Sequence, residues 1–291
     1  MGGQPHHLLV PGVPAVSGRA GAAAAAGGPR RVGHKGAHLI VPGNTLASFD
    51  AALGVGVDMI EFDVLSERLD GSGRLLLAHD YAHAAERDQL TLEQGLAHLA
   101  GPAFAGLEFD LDLKLPGYEE RAVAALRAAG LVERTLVSTC HQQSLSELGR
   151  IEPRVRRGWS VPRVRRDYTT DLLTAVPAMA LLTGYRAWLP GAVARALSAG
   201  RCEAIMAHWR VVSARLIAAV AAGGGELYVW TVDDARRIAR LAAMGVSAII
   251  TNDPRLFAAS GVLPPDARRH GAAPQARARP TDQEVTQVAE L

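Results

Sequence analysis

The stretch Asp58-Met59-Ile60-Glu61-Phe62-Asp63-Val64, followed by the turn residues Asp70-Gly71-Ser72-Gly73 and the return Arg74-Leu75-Leu76-Leu77-Ala78-His79, decides the fold. The first run reads as a strand, and the short Gly-containing link makes the second run its antiparallel partner. A parallel return needs a crossover of about a dozen residues. This hairpin is the exception in the chain. Elsewhere short β-branched or apolar runs alternate with alanine-rich helical patterns, the signature of repeated βα units. Eight parallel strands are expected, near Arg31–Gly33, Asp58–Val64, Leu107–Lys114, Thr135–Thr139, Val155–Ser160, Glu203–His208, Glu226–Thr231 and Ala248–Thr251. The predicted fold is therefore an α/β (β/α)8 barrel with an extra hairpin strand after strand 2.

Helices are expected near Thr45–Leu53, Glu119–Ala129, Ser144–Gly149, Asp171–Leu182, Ser213–Ala222 and Ala235–Met244. In the last, Ile238, Leu241 and Ala242 share one face, Thr231, Asp233 or Asp234 can cap the start, and Gly245 can end it. The folded unit should span residues 30–260. Residues 1–29, rich in Pro, Gly and Ala, are expected to form a flexible leader, and residues 261–291 a disordered or loosely docked tail. In the leader the first basic residue, Arg19, follows the apolar stretch and Pro11 and Pro14 interrupt it, so a cytoplasmic location is expected over secretion.

Composition narrows the function. The chain has 291 residues, 48% of them hydrophobic, and a formal net charge of +2, which suits a folded protein but provides no overall field for a polyanion. Nucleic acid is not expected as a partner, nor is integral membrane association, because no apolar run approaches about 20 residues. Cys140 and Cys202 are expected as reduced thiols.

Glu61 and Asp63, two apart on a strand, point to one face, as do Glu108, Asp110, Asp112 and Lys114 on another. A hairpin centred near Gly71 pairs residues whose numbers sum to about 142, placing His79 opposite Asp63. Hard oxygens from Glu61, Asp63 and Asp112 suit Mg2+ or Ca2+; the competing reading is a polar outer strand face. His34, between Gly33 and Lys35-Gly36, stands at the end of the first strand, where barrels keep their chemistry. His34 and His79 would supply one general base and one general acid. All but two of the 31 basic residues are arginine, and the two lysines, Lys35 and Lys114, both sit beside these candidates, where an ammonium can hold a phosphate. Trp230 can wall the pocket or belong to the barrel core. His79 and His83 lack a third zinc ligand, and Gly223-Gly224-Gly225 precedes a strand, so neither a zinc site nor a dinucleotide loop is expected.

Taken in order, His34-Lys35-Gly36, Pro42-Gly43-Asn44-Thr45, Glu61-Phe62-Asp63-Val64, His79-Asp80, Asp112-Leu113-Lys114, Val229-Trp230-Thr231-Val232 and Ile249-Ile250-Thr251-Asn252 resemble the glycerophosphodiester phosphodiesterase family. The resemblance implies a metal held by Glu61, Asp63 and Asp112, acid/base work by His34 and His79, and a small-molecule phosphodiester in which glycerol 3-phosphate is esterified to an alcohol. Lys35, Lys114 and Trp230 would contact substrate. Three positions depart from the family pattern: Lys35 for arginine, Gly43 for glutamate and Asp112 for glutamate. Two other readings stand beside the hydrolase: a related cyclising lyase or phospholipase D-like activity on lysolipids, and a degenerate barrel that binds phosphate esters without turnover. With only Tyr81–Leu90 between the hairpin and the next helical run near Thr91, any cap over the site should be small.

Overall fold

The computed structural model describes residues 28–163 and 172–263, with backbone alone for residues 172–180. The leader and tail expectations fall almost wholly outside these residues, as does the start of the helix expected at Asp171. Eight parallel strands close on themselves: β1 (Arg30–Gly33), β2 (Met59–Ser66), β4 (Glu108–Leu113), β5 (Thr135–Thr139), β6 (Arg156–Val161), β7 (Ala204–His208), β8 (Glu226–Trp230) and β9 (Ala248–Thr251). β1 pairs with both β2 and β9, which removes the sheet edges. The ninth strand, β3 (Leu75–Leu76), lies outside, antiparallel to β2.

The register stacks inward side chains in layers drawn from alternate strands, the packing rule of such barrels. At the bottom, the first residues of β1, β4, β6 and β8 form a square of charges. Arg30 pairs with Glu226 at 2.8 Å and Glu108 at 3.4 Å; Arg156 pairs with Glu108 at 2.9 Å and Glu226 at 3.4 Å. Glu108, which shares the inward face of Asp110 and Asp112, is thus neutralised at the floor and takes no part in the upper site. Above it come Met59, Leu136, Ala204 and Ala248, then Val32 and Tyr228, all buried in one apolar cluster. Continuing at period two, the next levels bring Glu61, Ser138, Met206 and Ile250, then His34, Asp112, Ser160 and Trp230, towards the carboxyl-terminal mouth. Residues of opposite parity, such as Phe62, Val64, Phe109 and Leu111, face outward into a second core beneath the helices.

The helices are α1 (Leu46–Val55), α2 (Tyr81–Ala85), α3 (Leu92–Leu99), α4 (Glu119–Ala128), α5 (Gln142–Ile151), α6 (Leu172–Ser198), α7 (Ala214–Ala222), α8 (Ala235–Ala243) and α9 (Leu256–Ser260). Thr45 caps α1 and Asp234 caps α8 through side-chain oxygens that accept from backbone N–H groups at the third helical position. α6 runs 16 residues past the expected Leu182, through Gly184 and Pro190, because Leu189 and Val193 are fully buried against the barrel. Packing outweighs the local cost of a proline there.

The hairpin departs from its expected register. Leu65 pairs with Leu76 and Ser66 with Leu75, a sum of 141 instead of 142, and the ladder stops there. The turn explains it: Gly71 and Gly73 both take positive φ, and Glu67 is held to Arg74 by backbone and side-chain bonds. His79 therefore approaches Asp63 from the loop after β3, not as its cross-strand partner. Tyr81–Leu90 holds only the five-residue α2.

Glu226 bonds both guanidiniums of the floor and the Tyr228 hydroxyl. Glu226→Gln should lower unfolding free energy by about 3 kcal/mol, since two half-buried cations would then share one acid. Chemical denaturation measures this, and an unchanged midpoint would contradict the proposed role of the square.

Candidate active site

The loop from Gly33 to Thr45 is folded tightly enough to aim backbone at the acids. Lys35 and Asn44 both take left-handed φ, 53° and 57°, which costs a lysine about 1–3 kcal/mol. The strained turn points the Lys35 N–H at Glu61 Oε2, 2.7 Å away. Gly36, at φ 84°, leaves no room for a side chain: a Cβ would lie 2.5 Å from Ser48 Oγ. Gly43 is tight as well, since a Cβ there would sit 2.6 Å from Lys35 Cβ. Two of the three departures from the family pattern, Lys35 and Gly43, therefore occupy touching positions.

Asp63 is fully buried and clamped. Asn44 Nδ2 donates to its Oδ2 at 2.9 Å, and the Asp63 N–H donates to Asn44 Oδ1 at 3.1 Å. Lys114 Nζ lies 2.5 Å from both Asp63 Oδ1 and Asp112 Oδ2, and Lys35 Nζ 3.3 Å from Asp63 Oδ2. Burial alone would raise the Asp63 carboxyl, but Lys114 and Lys35, with His79 and His34, hold it well below the usual range. Glu61 goes the other way: burial and then the Asp63 charge push it well up. Asp110, beside Glu61 in the register, is pushed up to about 8 by burial and the Asp112 charge, and its Oδ1 is buried without a partner.

Ligand oxygens of Glu61, Asp63 and Asp112 lie within 4.8 Å of one another, and among the described residues no other His/Cys/Asp/Glu group does so. The donor set fits a hard divalent cation. Asp63 Oδ1 has no well-aligned hydrogen-bond donor although it is buried, and the Lys114 ammonium already brings positive charge to the point where these oxygens converge. One elevated and one depressed carboxyl side by side mark the repulsion that a cation would relieve.

His34 is fixed by a chain of hydrogen bonds. Asn252 Nδ2 donates to Asp233 Oδ2 at 2.6 Å, which turns Asn252 Oδ1 toward His34 Nδ1, also at 2.6 Å. Because that oxygen can only accept, His34 carries its proton on Nδ1 and leaves the Nε2 lone pair free, 3.7 Å from Glu61 Oε2. Burial, and next Lys35, bring the imidazole down to about 4. His79 is half exposed, with Nδ1 2.9 Å from Asp80 Oδ2. Asp80 is kept ionised first by the His83 N–H and then by His79.

A pocket of about 350 Å3 at the mouth is lined by His34, Glu61, His79, Asp112, Lys114 and Trp230, among others. Lys35 and Asp63 are not among its lining residues; Lys35 instead pairs with Asp63. Trp230 forms wall and core at once, its indole N–H donating to Met206 O at 2.8 Å. Sequence reasoning assigned no part to Asn44 or Asn252 and offered Asp233 only as a helix cap. The first two stood in motifs already quoted, and a strand-end Asn two positions beyond an inward Ile250 could have been counted by parity.

The Glycerophosphoryl diester phosphodiesterase family pattern matches residues 34–82 and 156–256. A glycerophosphodiester phosphodiesterase of Caldanaerobacter subterraneus subsp. tengcongensis is 26% identical over 259 residues, covering 77% of this chain and 93% of that one. Two solved structures share the fold. A glycerophosphodiester phosphodiesterase from Parabacteroides distasonis has a TM-score of 0.59 at 17% identity, covering 83% and 100% of the two chains. An Oleispira antarctica phosphodiesterase in complex with the product sn-glycerol-3-phosphate has a TM-score of 0.56 at 18% identity, covering 80% and 96%. With the family pattern matched over more than half its length, on both sides of a mouth that unites two histidines with three carboxylates, the chain belongs to the glycerophosphoryl diester phosphodiesterase family of enzymes.

Proposed function

We propose that the protein hydrolyses glycerophosphodiesters to glycerol 3-phosphate and an alcohol, with residues 30–260 as the catalytic domain. The observation that carries this reading is the convergence of His34, Glu61, His79, Asp112 and Lys114 on one pocket. Glu61, Asp63 and Asp112 would hold Mg2+ or Ca2+, which when bound would draw charge from the phosphate oxygens. Lys114 adds a fixed positive charge on the same side, and Lys35 keeps Asp63 ionised from behind. Trp230 offers an apolar wall to the glycerol carbons.

His34 is suited to the base. Its Nε2 lone pair faces the pocket, its ring orientation is locked through Asn252 and Asp233, and its low pKa keeps it unprotonated at neutral pH. It would take the proton from the attacking water or from the neighbouring glycerol hydroxyl. His79, held at Nδ1 by Asp80, would deliver a proton from Nε2 to the departing alkoxide. The unpaired thiols of Cys140 and Cys202 accord with a cytoplasmic location. Among the described residues no helix is long and apolar enough to cross a membrane.

Release of glycerol 3-phosphate from a diester panel should fall at least 100-fold in His34→Ala and His79→Ala and on adding a chelator. Undiminished release in either variant would remove that residue from the mechanism. Binding of the diesters without turnover would favour the noncatalytic barrel, and a cyclic phosphate as end product the lyase.

The His34 ring should titrate near 4 in the metal-free protein, followed by imidazole NMR. The folded value lies below the unperturbed 6.5, so the neutral ring's contribution to stability is complete above pH 6.5 and is lost as the pH falls toward 4. A titration near 6.5 would contradict the burial argument.

A further inference from the structure

The pocket is larger than the acid and histidine cluster needs. Beyond Lys114 its lining continues over Leu115, Cys140, His141, Pro162 and Arg163, which stand on the loops following β4, β5 and β6. This wall lies on the opposite side of the mouth from the loop that carries His34, and a phosphodiester seated at the carboxylates would send one of its two alcohols toward it.

The charge of that wall is one-sided. Arg163 is exposed at the rim, and no ion pair joins it to an acid among the described residues. Asp112 is engaged by Lys114 at 2.5 Å, and Glu119 accepts the Gly117 N–H at 2.9 Å. The guanidinium acts on the wall beside it: after burial, Arg163 is the next largest influence holding the His141 imidazole below its ordinary value. His141 is therefore neutral at physiological pH and Arg163 is the wall's standing charge.

Among its described residues, the same wall lacks what a cationic alcohol would need. A quaternary ammonium is usually recognised by a cage of aromatic rings. Among the described residues lining this pocket Trp230 is the only Phe, Tyr or Trp, and it stands on β8 with its N–H committed to Met206. Among the described residues, the carboxylates next to the outer wall, Asp112 and Glu119, are already engaged by Lys114 and the Gly117 N–H.

We propose that Arg163, with the Cys140-His141 edge, forms a leaving-group subsite that selects alcohols bearing an anionic group, a carboxylate or a second phosphate, over cationic ones. This rests on the phosphodiesterase reading. A guanidinium offers two parallel N–H donors to either anion, and a pocket of about 350 Å3 leaves room for a small polar head beside the glycerophosphate.

The test compares kcat/KM of the metal-loaded enzyme on four diesters of glycerol 3-phosphate, whose second alcohol is glycerol, glycerate, glycerol phosphate or choline. The two anionic substrates should exceed the glycerol ester about tenfold, with the choline ester poorest. Arg163→Gln should erase that advantage while turnover of the neutral glycerol ester stays within twofold. Arg163→Glu should reverse the order toward choline, a gain that simple misfolding cannot produce. An advantage confined to glycerate or to glycerol phosphate would identify which anion the subsite takes. Equal rates for all four esters, or an equal loss on all four in Arg163→Gln, would overturn the subsite while leaving the phosphodiesterase reading intact. Failure to release glycerol 3-phosphate from any of them would overturn that reading, and the subsite with it.

Discussion

Three carboxylates crowded at the top of a closed barrel cannot all carry charge without compensation, and the site is organised around that constraint. Moving one unpaired carboxylate from water into such a place costs several kcal/mol. The chain answers with its only two lysines, with Asn44 bridging Asp63, and with a backbone N–H aimed at Glu61 by a left-handed lysine. Even so, Glu61 and Asp110 are driven toward the protonated form. The remaining imbalance is one that a cation would relieve, and His34 and His79 line the same pocket.

Closure of the barrel makes this possible. Period-two alternation on eight strands in fixed register turns a linear pattern into layers: a square of charges at the floor, an apolar middle, and a polar top. The layer of Met59, Leu136, Ala204 and Ala248 stands between Arg30, Glu108, Arg156 and Glu226 and the upper acids, the lowest of which, Asp110, shares a level with Val32 and Tyr228 and still feels Arg156.

Much of this was legible from residue order. Parity alone put Glu61 with Asp63 and Asp110 with Asp112, because a strand has no other way to arrange them. The strand-end position marked His34. What escaped reading depended on the third dimension. The hairpin pairs one residue away from the expected register around a turn with two glycines at positive φ, and its ladder ends at Leu76, so His79 meets Asp63 by way of a loop. Asn252 and Asp233 gained their roles only when β8 and β9 lay side by side. Arg163 became part of a pocket because the loop after β6 stands next to the one after β5. α6 outran its expected end because buried Leu189 and Val193 compensate for a proline that local propensity would reject.

The most direct test of the central claim is a crystal structure of the protein grown with Mn2+ and sn-glycerol 3-phosphate, with the metal located by its anomalous signal. The account predicts one metal peak about 2–2.5 Å from oxygens of Glu61, Asp63 and Asp112, with the phosphate between His34 Nε2 and the ring of His79. A metal bound away from these carboxylates, or a phosphate beyond the reach of either imidazole, would contradict it.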